Sequence, residues 1–170
     1  MRRLALLALA GTALLAGNAS AATVNGTFQV RAVFPQSCVV VSDAGINFGT
    51  YDPIVAHATT DDTATGSIQL RCTKGTVAEV GLDEGDNAVV PGDCVAPARR
   101  MLNTTSGEYL AYSISDLASG GTSWGCGTND RDFTALSNAP FTLTTYGTIP
   151  ANQTVGVGTF TDFIDYTVTF

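Results

Sequence analysis

The sequence is short of charge, and of positive charge above all. Only 14% of its 170 residues are charged, and Lys74 is its single lysine. Lys+Arg number 8 against 15 Asp+Glu, which gives a formal net charge of −7 and a pI near 4.3. Nucleic-acid binding needs a basic patch that neutralises several phosphates, so no nucleic-acid partner is expected. There is one histidine, His57, and the four cysteines, Cys38, Cys72, Cys94 and Cys126, contain no C-x-x-C spacing. A zinc centre is therefore not expected. Beyond the N-terminal leader, Lys, Glu and Leu are scarce, whereas Thr, Val and Gly are common. That balance disfavours helices and points to an all-β chain. Hydrophobic residues make up 45%, enough to bury a core and to exclude a disordered chain.

The N-terminus carries a leader of its own. Met1-Arg2-Arg3 is basic, Leu4 to Gly17 is apolar, and Ala19-Ser20-Ala21 is a small-x-small cleavage site. The apolar run is shorter than the roughly 20 residues of a membrane span, so residues 1–21 read as a secretory signal peptide. Cleavage after Ala21 or Ala22 removes Arg2 and Arg3 and takes the mature chain to a net charge of −9. Export exposes the four cysteines to oxidising conditions, which makes them disulfide candidates. Four cysteines allow three connectivities, and spacing alone does not choose among them. Sequential pairing would close two loops of about 33 to 35 residues, each stabilising by about 3–4 kcal/mol in the chain-entropy picture.

The mature chain reads as a series of short strands. In Thr23 to Phe34, the residues Val24, Gly26, Phe28, Val30, Ala32 and Phe34 fall on one face, and Thr23, Asn25, Thr27, Gln29 and Arg31 on the other. That period-2 alternation marks a half-buried strand, and Pro35 stops it. Further strands are expected at Cys38 to Val41, Ile46 to Tyr51, Ser67 to Thr73, Val77 to Leu82, Phe133 to Leu136, Phe141 to Ile149 and Thr159 to Phe170. Ala98 to Asn103 and Glu108 to Ser115 flank a turn and read as a hairpin. Val55 to Thr65 and the Gly-rich Ala118 to Asn129 read as loops. Many short strands with regular turn signals indicate a β-sandwich.

Candidate chemistry is sparse. Gly121-Thr122-Ser123-Trp124-Gly125 matches the G-x-S-x-G nucleophile pattern. That motif needs a following helix and a histidine later in the chain, and here His57 precedes the serine. A glycine-rich turn is the better reading. Asp83, Glu84, Asp86 and Asn87 lack the alternating spacing and distal Glu of a calcium loop and read as a solvated turn, as does Asp61-Asp62. His57 reads as an exposed loop residue. Asn25, Asn103 and Asn152 open N-x-T sequons, which matter only in a host that glycosylates them. No catalytic, metal-binding or cofactor-binding set is expected, and no cofactor. The informative segment is the first strand, which is either an edge strand of its own sandwich or a donor that completes another sheet.

An ordered series of motifs runs through almost the whole mature chain. It comprises Cys38-Val39-Val40, Asn47-Phe48-Gly49-Thr50-Tyr51-Asp52-Pro53, Thr65-Gly66-Ser67-Ile68-Gln69-Leu70-Arg71-Cys72-Thr73, Gly81-Leu82-Asp83-Glu84-Gly85 and Arg99-Arg100-Met101. Leu110-Ala111-Tyr112-Ser113-Ile114, Trp124-Gly125, Tyr146-Gly147-Thr148-Ile149-Pro150 and Gly158-Thr159-Phe160-Thr161-Asp162 complete it. In these residues the chain resembles the spore coat protein U domain family, which covers subunits of archaic chaperone–usher pili. The resemblance implies an incomplete immunoglobulin-like β-sandwich, residues 36–170, completed by a donor strand from another chain. It implies that residues 22–35 are the donor extension, with Val24, Gly26, Phe28, Val30 and Ala32 facing the recipient. It places Cys38 and Cys72 on neighbouring strands and so implies that they pair, which leaves Cys94 with Cys126. The implied partners are a periplasmic chaperone, an outer-membrane usher and neighbouring copies or related subunits. The implied place is a cell-surface fimbrium reached through the periplasm, serving adhesion or biofilm formation. A soluble, self-complemented secreted sandwich is the rival expectation.

Overall fold

The computed structural model describes residues 21–118 and 120–170. The expected leader lies outside them except for Ala21. The chain divides between Val33 and Phe34. In the first unit, residues 21–33 hold no strand and every one of them is exposed. The strand expected over Thr23 to Phe34 is thus not formed within this chain. Alternation prepares a segment for a sheet, but a strand without a ladder partner has unpaired main-chain groups and does not hold its form.

Among the described residues, the second unit contains nine strands: β1 Cys38–Ala44, β2 Asp62–Cys72, β3 Val77–Leu82, β4 Arg100–Leu102, β5 Tyr109–Ala111, β6 Ser113–Ser115, β7 Arg131–Thr134, β8 Phe141–Ile149 and β9 Tyr166–Thr169. One sheet runs β1-β2-β8-β6, a second β7-β3-β9, and β4-β5 form a small ribbon. Every pairing is antiparallel. The alternation that marks the strands sets the core. Ile68, Leu70 and Cys72 of β2, Val80 and Leu82 of β3, Ile114 of β6 and Leu143 of β8 are buried. With Trp124, all of these but Cys72 close one hydrophobic cluster, against which Phe133, Phe141, Ile164, Tyr166 and Val168 pack. The fold is an all-β sandwich.

Several expected boundaries move. Ile46 to Tyr51 forms no strand. The expected loop ends at residue 61, and β2 begins at Asp62, where Thr63 pairs with Thr148 and Thr65 with Tyr146. β-Branched and aromatic cross-strand pairs hold this polar stretch in the sheet, which composition alone did not show. Only Tyr166–Thr169 of the expected last strand is β, though Thr161 bridges Leu102. The hairpin is confined to β4 and β5, because the chain crosses to the larger sheet after Tyr112. β7 begins before Phe133 and leaves Leu136 exposed. Cys38 is disulfide-bonded to Cys72, its cross-strand partner in β1–β2, and Cys94 is bonded to Cys126.

Candidate functional site

An elongated apolar groove of about 1250 Å³ opens between two stretches of chain, residues 43–54 and 155–166. Its floor includes Ile68, Leu82, Leu110, Ile114 and Ile149, all buried core residues or their neighbours. The groove therefore reaches down to residues of the sandwich core.

Both walls have unpaired main chain. After Ala44, the chain leaves β2, and residues 45–50 make no backbone–backbone hydrogen bond among the described residues. Gly49 N–H is taken by Asn47 Oδ1. This wall still lies close to the sheet. A Cβ on Gly147 would stand 2.7 Å from Phe48 Cζ, and one on Gly66 would stand 2.6 Å from the Ala44 carbonyl oxygen. Glycine in these strand interiors permits that approach.

On the opposite wall, bonding alternates. Thr161 exchanges hydrogen bonds with Leu102, the Phe163 carbonyl accepts Asp86 N–H, and the Asp165 carbonyl accepts Asp83 N–H. The intervening Phe160, Asp162 and Ile164 make no backbone–backbone bond among the described residues. An antiparallel strand directs alternate residues to its two edges, so this wall is a half-satisfied strand with its free edge on the groove. Its even-numbered side chains turn inward: Phe160, Asp162, Ile164 and Tyr166 are half-buried, while Thr161, Phe163 and Asp165 are exposed.

A polar cluster stiffens that wall. Asp162 Oδ2 accepts the Tyr112 hydroxyl at 2.7 Å, and Asp162 Oδ1 accepts Asn87 N–H and Nδ2 at 3.2 and 2.9 Å. Burial, then the hydrogen bond to Asp162 and its charge, push the Tyr112 phenol well above the ordinary tyrosine range. Arg99 is 1% exposed, and its Nε donates to the Asp83 carbonyl oxygen at 3.0 Å. Burial lowers the Arg99 pKa and raises that of Asp83. The Asp83 carboxylate itself accepts the Gly85 and Asp165 amides, both at 3.0 Å. The turn cluster read as merely solvated is thus partly buried and anchors the groove wall. A buried arginine held on a carbonyl was not legible from local pattern.

The other singled-out residues fall elsewhere. Val24, Phe28 and Val30 are 94%, 87% and 85% exposed, and Gly26 and Ala32 are exposed beside them. His57 is half-buried rather than exposed. Its ring stacks on Tyr51, and Nε2 stands 3.9 Å from Asp62 Oδ2. The G-x-S-x-G stretch follows no strand-to-helix elbow. Ser123 bridges Ser115, buried Trp124 donates its indole N–H to the Val80 carbonyl at 2.7 Å, and the Gly125 carbonyl accepts Leu82 N–H. The glycines of this motif serve packing, since Gly125 lies directly against the Cys94 carbonyl.

Comparison with known proteins agrees with this geometry. Protein U of Myxococcus xanthus is 34% identical over 161 residues, 89% of this chain and 88% of that protein. Among solved structures, the P pilus rod subunit PapA is similar with TM-score 0.52 and 19% identity over 78% of this chain and 97% of that one. The CsuC–CsuE chaperone–tip adhesion subunit pre-assembly complex, from the archaic chaperone–usher Csu pili of Acinetobacter baumannii, is similar with TM-score 0.52 and 18% identity. That match covers 79% of this chain but only 40% of the neighbour, so the chain spans less than half of it. These structures share the immunoglobulin-like pilin sandwich with this chain. The Spore Coat Protein U domain matches residues 24–167, and the chain belongs to that family.

Proposed function

We propose that this protein is a structural subunit of a surface pilus, exported through the periplasm and assembled by strand donation. The observation that carries it is the open groove with an unpaired main-chain edge on each wall. An added strand would satisfy both edges at once and cover the core. The same chain supplies a segment of the required pattern, in which Val24, Gly26, Phe28, Val30 and Ala32 share one face and stand exposed. Residues 22–35 are the donor extension and residues 36–170 the pilin domain. A periplasmic chaperone fills the groove first, and at an outer-membrane usher the extension of a neighbouring copy or related subunit replaces it. The fibre serves adhesion or biofilm formation. No catalysis and no cofactor enter this scheme, in which Ser123 and Trp124 belong to the packing of the sandwich.

The test is a pair of substitutions one residue apart. Phe28→Asp puts an unpaired charge into the recipient's core and should abolish polymerisation while sparing chaperone-bound monomer. Gln29→Asp, on the other face, should polymerise as the parent does. A Phe28→Asp protein that still forms detergent-resistant ladders would overturn the proposal.

A further inference from the structure

Asn25 is the only asparagine that the sequence follows with glycine. The pair lies in residues 21–33, which hold no strand and are exposed throughout. No backbone–backbone hydrogen bond holds residues 25–27 among the described residues. A Cβ on Gly26 would have nothing within 4 Å. The Gly26 amide nitrogen is thus unshielded, both by its missing side chain and by its surroundings. It stands one ring closure from the Asn25 side-chain carbonyl carbon, and no ladder fixes the torsions between them. Asparagines of the second unit are placed differently. Asn47 Oδ1 accepts Gly49 N–H, Asn87 Nδ2 donates to Asp162, and Asn138 Oδ1 accepts Lys74 N–H. Asn103 is 3% exposed.

We propose that Asn25-Gly26 is a deamidation site, open in the unassembled subunit and closed by strand insertion. The Gly26 nitrogen gives up its proton and bonds to Asn25 Cγ, and the Cγ–Nδ2 bond breaks to release ammonia. The product is a five-membered succinimide, which water opens. Attack at Cγ restores the ordinary main chain as aspartate. Attack at the main-chain carbonyl carbon gives isoaspartate, in which the chain runs through Cγ. Isoaspartate adds one carbon to the main chain. That interrupts the two-residue period between Val24 and Phe28, so the two no longer share a face. In an inserted strand the main chain is extended and its amides sit along the ladder, which keeps the Gly26 nitrogen from Asn25 Cγ. An unassembled subunit therefore loses its donor pattern with age, and an assembled one keeps it. The protection rests on the strand-donation proposal above, and the reactivity does not.

The experiment ages the mature protein in two forms, bound to its chaperone and assembled into fibre, at one pH and temperature. A synthetic peptide of residues 22–35 sets the incubation time. Peptide mapping by mass spectrometry, with isoaspartyl methyltransferase labelling, reads position 25. The chaperone-bound subunit should convert at a rate comparable to the peptide, with Asn87 and Asn138 unchanged, while the fibre keeps Asn25. When the aged pool is then assembled, chains with isoaspartate at position 25 should be several-fold depleted in the fibre. Asn25→Gln should assemble as the parent does and yield no such product. An intact Asn25 in the chaperone-bound subunit, once the peptide has converted, overturns the site. Equal conversion in the fibre, with the amides of Thr27 to Phe34 protected from hydrogen exchange, overturns the protection and leaves strand donation standing. Equal conversion with those amides exchanging freely overturns both. Isoaspartate chains entering the fibre in proportion to the pool would show that the modification does not disarm the donor.

Discussion

Tyr112 shows how much of the groove wall depends on one hydroxyl. Its donor bond to Asp162 ties the floor of the groove to the half-paired wall. Tyr112→Phe leaves a carboxylate oxygen without its partner, and a hydrogen bond to a charged acceptor is worth about 1.5–3 kcal/mol. Urea unfolding of the variant should show a loss of that size. The same residue sets an alkaline limit. The folded phenol holds its proton well above the ordinary range, whereas in the unfolded chain it titrates near pH 10. Above that pH the unfolded state binds fewer protons than the folded one, so stability falls as pH rises. The contribution is whole below about pH 10 and lost above it, and Tyr112→Phe should flatten the decline. Ser123→Ala, by contrast, should change stability by less than about 0.5 kcal/mol. It should also leave assembly unchanged, and an esterase or protease activity abolished by it would contradict the scheme.

At the scale of elements, two glycines let the first wall lie on the sheet. Gly147→Ala places a methyl against Phe48 and Ile46, and overpacking of that kind costs about 1–3 kcal/mol. Thermal unfolding should register the loss. Assembly should suffer too, because Phe48 lines the groove. The sequence made the strands legible wherever alternation coincided with a partner, as in β2, β3 and β8. It misled at Ile46 to Tyr51, where the pattern is that of a strand but no ladder partner lies among the described residues. Polar Asp62–Thr65 erred the other way, since cross-strand partners far along the chain hold it. Gly66 and Gly147 sit in strand interiors, a signal of close backbone approach that could have located the wall. The Tyr112–Asp162 and Arg99–Asp83 contacts join residues distant in sequence, and no local period reports them.

For the whole molecule, strand donation as proposed would make the exposed N-terminal segment of one copy and the open groove of another two halves of one sandwich. The segment was legible in the sequence, since alternation puts Val24, Gly26, Phe28, Val30 and Ala32 on one face. The groove itself was not, because its shape depends on which main-chain groups remain unpaired once the sheets have formed. The most direct test is hydrogen exchange over Thr23 to Phe34, compared between chaperone-bound monomer, isolated protein at serial dilution, and assembled fibre. Strand donation requires the segment to exchange freely in the chaperone-bound monomer and to be protected in the fibre, with protection that follows assembly. Protection of the segment in an isolated monomer at every dilution would instead mean that each domain completes itself, and would contradict the proposed assembly.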